Sequence, residues 1–135
     1  MEVIIFETDK FNLTKEDEHF INPGCFGEDF ANWLKPKLEA HKITVLDIYQ
    51  EDWGWEIWCT YDSQGYYLGV GGIPDEKGNT DFGEWRVMFT KKRKFIESLL
   101  GKNKLVISET IIAIVKSILE KDSFSNISFE ARKKK

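Results

Sequence analysis

The apolar positions of this chain fall into short runs of strand length, interrupted by one helical stripe and giving way to helical spacing beyond Thr90. Val3-Ile4-Ile5-Phe6-Glu7-Thr8 is short and rich in β-branched residues, which predicts an opening strand. Lys10 to Phe20 mixes three apolar residues with a charged run and reads as a connection. Asn22-Pro23-Gly24 is a helix-start signal, since asparagine can cap free N–H groups and proline presets the φ of the first turn. Phe26, Phe30, Trp33, Leu34 and Leu38 then share one helical face. Pro36 removes one backbone hydrogen bond, so a kink or an early end near Lys35 is expected.

Four strands follow. Ile43 to Tyr49 is the first, and Trp53 to Tyr61 the second, with Trp53, Trp55, Ile57, Cys59 and Tyr61 expected on one face and Gly54, Glu56 and Trp58 on the other. Asp62-Ser63-Gln64-Gly65 is turn chemistry, Tyr66 to Gly71 returns as the hairpin partner, and Glu84 to Phe89 extends a meander after a loop from Ile73 to Gly83. Helical patterns are expected around Lys94 to Leu100, ended by Gly101, and from Ser108 to Lys121 with Ile111, Ile112, Val115, Ile118 and Leu119 as the apolar stripe. Asn126 to Glu130 predicts a short edge strand. Without repeated βαβ units, this order argues for an α+β fold: one largely antiparallel sheet, a meander, with helices packed on a face. The expected domain spans residues 1–131, with Arg132-Lys133-Lys134-Lys135 as a basic tail.

Composition narrows the function classes. With 41% hydrophobic and 31% charged residues in 135, the chain has the balance of a globular protein and no apolar run approaching the roughly 20 residues that cross a bilayer. An acidic residue at position 2 and a short apolar run differ from a secretory leader, so a cytoplasmic location is expected, with the two cysteines as free thiols. Charge is uneven: residues 1–88 carry 18 acidic and 7 basic side chains, and residues 89–135 carry 5 and 12. The basic clusters Lys91 to Lys94 and Arg132 to Lys135 are read as solvated runs, and the acidic half argues against a nucleic-acid partner.

The chemistry concentrates in Glu51-Asp52-Trp53-Gly54-Trp55-Glu56-Ile57-Trp58, where three tryptophans, a glycine and three carboxylates occupy eight residues. A carboxyl beside indoles can be desolvated into a general acid, but Glu51 and Asp52 read more simply as solvated strand-entry residues. Tryptophans on both faces of one strand demand either covering helices or an aromatic binding surface, because exposed Trp and Tyr are typical interface anchors. Gly69-Val70-Gly71-Gly72 fits neither a dinucleotide fingerprint nor a P-loop and predicts close approach of a bulky neighbour. His19 and His41 form no metal spacing with Cys25 or Cys59, and Cys25 reads as a packing thiol, so neither a metal nor any other cofactor nor a catalytic residue is assigned.

Asn22-Pro23-Gly24 with Gly27-Glu28 and Trp33-Leu34, and Glu51-Asp52-Trp53-Gly54-Trp55, resemble a pattern of small bacterial proteins to which no activity is attached. The chain is similar in type, not in motif, to immunity proteins that neutralise polymorphic toxins. The expectation is a non-enzymatic module that presents an acidic, aromatic surface to a protein partner, such as a basic toxin. Glu51, Asp52, Trp53, Trp55, Glu56, Trp58, Tyr66 and Asp81 are the expected binding residues. The alternative is a tryptophan-lined pocket for a small molecule or carbohydrate, with Glu51 or Asp52 as acid or base.

Overall fold

The computed structural model describes residues 2–14, 26–74, 81–91, 104–122 and 124–131. The strands are β1 (Glu2–Thr8), β2 (Thr44–Glu51), β3 (Gly54–Tyr61), β4 (Gln64–Pro74), β5 (Gly83–Lys91) and β6 (Ser125–Ala131), and the helices α1 (Glu28–Ala40) and α2 (Lys104–Lys121). One antiparallel sheet holds all six strands in the order β2-β3-β4-β5-β1-β6. The α+β architecture expected from the pattern is therefore the observed one. The helix expected at Lys94 to Leu100, the Lys91 to Lys94 cluster and the tail from Arg132 lie wholly or mostly outside the described residues.

Local chemistry explains the connections. Asp62 and Ser63 both adopt positive φ, 51° and 63°, and join β3 to β4 as the two-residue turn whose twist matches an antiparallel pair. Asp52 and Trp53 make the equally short connection between β2 and β3, with Glu51 opposite Gly54. Helix α1 starts at Glu28, with Gly27 at the cap position and Glu28 and Asp29 in the first turn, where carboxylates suit the positive end of the dipole. Asn22-Pro23-Gly24 falls outside the described residues. Nor does Pro36 end the helix, which runs on to Ala40. The lost hydrogen bond is offset by burial of Leu34 and Leu38 on either side of the proline, each worth about 1.5–3 kcal/mol. Termination comes at Lys42 with φ 67°, where the Ile43 N–H donates back to the Leu38 carbonyl at 3.1 Å.

Both helices cover the same face of the sheet. Ile4 and Phe6 of β1, Trp55, Ile57 and Cys59 of β3, Leu68 and Val70 of β4, and Trp85 and Val87 of β5 alternate inward to meet Phe30, Leu34 and Leu38 of α1 and Ile111, Val115 and Leu119 of α2. Phe6 lies 5.5 Å from the Phe30 ring and 5.0 Å from Phe124, while Trp85 meets Phe11 and Phe30 edge-on at 5.4 and 5.5 Å. Trp33, expected on the α1 stripe, is only half-buried and sits between the ammonium groups of Lys10 and Lys37, 5.0 and 4.7 Å from its ring. Lys10 also pairs with Asp122 at 2.8 Å, which clips the segment after β1 to the end of α2. No helix among the described residues is long and apolar enough to cross a membrane.

Candidate functional site

The second face of the sheet is built by the residues that alternate away from the core. Strand register sets them in rows: Asp47, Trp58, Tyr67 and Thr90 form one, Tyr49, Glu56, Gly69 and Met88 the next, and Gly54, Gly71 and Arg86 a third. The last two rows lack side chains where β4 crosses them. The gap is a groove of about 460 Å³, lined by Trp53, Glu56, Tyr67, Gly69, Gly71, Gly72, Ile73, Arg86, Met88 and Thr90. Neither described helix contributes to its lining. Its volume lies within the roughly 300–1,000 Å³ of small-ligand sites.

Trp53 decides the shape. The pattern of the sequence puts it in β3 beside Trp55, facing the same way, but the strand begins one residue later and Trp53 belongs to the turn. Freed from the alternation, its indole folds over the groove floor, so close to Gly69 that a Cβ there would sit 2.5 Å from Cη2 and 2.9 Å from Cζ3. It is 48% exposed, whereas Trp55 is 5% exposed in the core. Trp58, half-buried, shares the second face and lies 6.2 Å from the Tyr67 ring. Further along the floor a Cβ at Gly71 would meet only the Trp53 carbonyl oxygen, at an ordinary 3.6 Å, so that stretch of the groove is open.

The polar groups are few and specific. The Tyr49 hydroxyl donates to Glu56 Oε1 at 2.6 Å, and burial first, then that carboxylate, push the phenol's ionisation above the ordinary tyrosine range. Arg86 donates through Nε and Nη2 to a single oxygen of Glu84, at 3.0 and 2.8 Å. The groove therefore contains a cation already matched by its strand neighbour and a carboxylate held by a neutral hydroxyl.

The eight expected binding residues divide accordingly. Trp53 and Glu56 line the groove, Trp58 flanks it, and Glu51 and Asp52 stand at its turn without lining it, Glu51 half-buried and Asp52 exposed. Trp55 and Tyr66 are not surface anchors: their register points them at the helices, and Tyr66 is 3% exposed. Asp81, exposed, does not line the groove. Its Oδ1 accepts from the Leu13 N–H at 3.1 Å and the Thr14 hydroxyl at 3.0 Å, tying down the segment after β1.

Gly69, Gly71, Ile73, Arg86, Met88 and Thr90 were not singled out as site residues, and the signal for them lay in parity. Gly69 and Gly71 occupy alternate positions of one strand and so vacate one face, which periodicity alone shows once the strand is granted. Gly72, of opposite parity, lets the Trp85 indole press against β4, where a Cβ would meet Cζ2 at 2.7 Å. Cys59 is buried against the Tyr66 carbonyl, and burial pushes its thiol up to about 12, which removes it as a nucleophile. Cys25 and His19 fall outside the described residues. Among the described residues no cluster of His, Cys, Asp or Glu has the makings of a metal site.

No family model matches the chain, and neither the curated proteins nor the solved structures supply a match. The groove must be interpreted on its own chemistry.

Proposed function

We propose that this chain is a non-enzymatic binding protein that receives a protein partner on the face of its sheet opposite the two described helices, centred on the groove beside Trp53. The observation that carries the proposal is Trp53 itself: a half-exposed indole laid over a glycine floor, on a face that no described helix covers. Tryptophan is among the residues that most often dominate binding energy, and a concave apolar patch with a few polar groups is where such anchors act. The acidic excess of residues 1–88 suits a basic partner and would steer its approach. An immunity protein occluding a basic toxin is the form of this function that the charge and size favour.

Groove volume alone also suits a small molecule, as the sugar-binding alternative requires. The hydrolytic version of that alternative asks for Glu51 or Asp52 inside the site, and the groove takes its carboxylate from Glu56 instead.

Gly71→Val provides a clean test. Its Cβ meets only the Trp53 carbonyl oxygen at an ordinary 3.6 Å, and valine suits a strand better than glycine by about 0.5–1 kcal/mol, so the fold should hold. Partner capture by the wild-type protein, lost in Gly71→Val at unchanged unfolding temperature, is the expected result. A photoreactive residue replacing exposed Ile73 of the groove lining should crosslink the same partner, and one replacing exposed Glu39 on α1 should not. Equal capture by wild type and Gly71→Val would refute the proposal.

A further inference from the structure

Resting on that interface, we infer that the groove's occupant is a basic side chain of the protein partner, an arginine or lysine whose stem lies on the glycine floor and whose charged head reaches Glu56 between the aromatic rings. Three observations lead to it. The cation among the described lining residues, Arg86, spends two donors on the Glu84 carboxylate and is matched by it. Glu56 is half-buried, and among the described residues its hydrogen-bond partner is the neutral Tyr49 hydroxyl rather than a cation. A half-buried carboxylate bonded to a neutral hydroxyl gains strongly from a cation that arrives already oriented.

The second observation is the aromatic frame. Trp53 and Tyr67 both line the groove, and the electron-rich face of an indole attracts guanidinium and ammonium groups most strongly when water is partly excluded. The third is the apolar stretch between Trp53 and Met88 over Gly69 and Gly71, which matches the methylene stem that lysine and arginine bury while the head stays polar. Glu51 and Asp52 at the adjoining turn add negative potential on the approach. An acidic or purely apolar guest would leave Glu56 uncompensated or repelled.

The probe is acetyl-Gly-Arg-Gly-amide, with the citrulline tripeptide as its neutral isostere, titrated into full-length protein while the Trp53 indole N–H is followed by NMR. The arginine peptide should give a saturable shift at the Trp53 and Met88 resonances, and citrulline should bind about tenfold more weakly, as loss of a charge-assisted and cation–π contact implies. Glu56→Gln should remove that preference while leaving the unfolding temperature within a few degrees. Equal binding of the two peptides, or a preference that survives Glu56→Gln, overturns the inference. A bound neutral small molecule, seen by native mass spectrometry in the wild type and absent from Gly71→Val, overturns it too. If neither peptide shifts Trp53 while Gly71→Val still abolishes partner capture, the cationic guest is wrong and the interface stands. If capture survives Gly71→Val, the interface itself is wrong.

Discussion

Gly69 and Gly72 lie three residues apart on β4 and face opposite sides of the sheet, so alanine at each measures what lies above that face. At Gly72 the new Cβ would stand 2.6 Å from Leu13 Cδ2, 2.7 Å from Trp85 Cζ2 and 2.8 Å from its Cε2. Leu13 is 1% exposed and Trp85 0%, so neither can yield into solvent, and overpacking of this kind costs about 1–3 kcal/mol. At Gly69 the Cβ would stand 2.5 Å from Trp53 Cη2 and 3.2 Å from Met88 Cε. Trp53 is half-exposed and hangs from a turn, so it can swing outward. Its lost contact, on the order of 1 kcal/mol for a partly buried ring, is offset by the roughly 0.5–1 kcal/mol that alanine gains over glycine in a strand. Gly69→Ala should therefore remain within about 0.5 kcal/mol of wild type, and Gly72→Ala should fall about 2 kcal/mol below it, or roughly 8 °C in unfolding temperature for a chain of this size. Denaturant titration reads the stability difference. Tryptophan emission reads the cause: Gly69→Ala should shift to the red, and the shift should vanish when Trp53 is first replaced by phenylalanine. Equal destabilisation by the two alanines, or an unchanged spectrum in Gly69→Ala, would refute the placement of Trp53 over the floor.

Two further outcomes follow from titrating groups. Asp29 accepts from the Asn12 N–H at 2.7 Å, yet burial outweighs its backbone hydrogen bonds and raises its carboxyl above the ordinary 3.8. The folded chain then holds this proton more tightly than the unfolded chain, so the Asp29 contribution is fully present below the ordinary value and is lost as pH rises through the raised one. Asp29→Asn should flatten that part of the stability profile in denaturant titrations from pH 3 upward, and superimposable profiles would contradict the assignment. Cys59, with its thiol pushed up to about 12 by burial, should react with a thiol reagent at pH 8 only at the rate of global unfolding. Rapid labelling of the native protein at Cys59 would show that the β3 core face is open.

Much of the fold was legible because the strands are half-buried and alternate cleanly, as β5 does with Trp85, Val87 and Phe89 inward and Arg86 and Met88 outward. The stripe of α2 was equally plain in Ile111, Val115, Ile118 and Leu119. Two boundaries misled the pattern. Proline normally kinks or stops a helix, and here the apolar stripe that reaches Leu38 outweighs it, with Leu38 buried and the helix running to Ala40. Trp53 keeps perfect alternation with Trp55, and only the length of the β2–β3 turn removes it from the strand and turns it to the opposite face. That single residue of register separates a core indole from the wall of the groove. The tie that Asp81 makes to Leu13 and Thr14 was hidden for a different reason: these partners are distant in sequence, and charge alone does not reveal a long-range hydrogen bond. The groove itself is made of missing side chains, which composition cannot register and parity can.

The place of β1 in the sheet governs how the molecule can assemble. Strands β2 to β5 form consecutive neighbours joined through short or moderate connections and can pair as soon as each has emerged, whereas β1 must wait for β5 on one side and β6 on the other. During synthesis the Val3-Ile4-Ile5-Phe6 segment, the most β-prone of the chain, therefore spends most of that time without its sheet partners. The rate-limiting event in folding should be insertion of this strand between two late-arriving edges, since closing such long loops precedes any reward from pairing. Until then that apolar run is the segment most exposed to mispairing with other chains, and the carboxylates Glu2 and Glu7 that bracket it are its natural guards against aggregation.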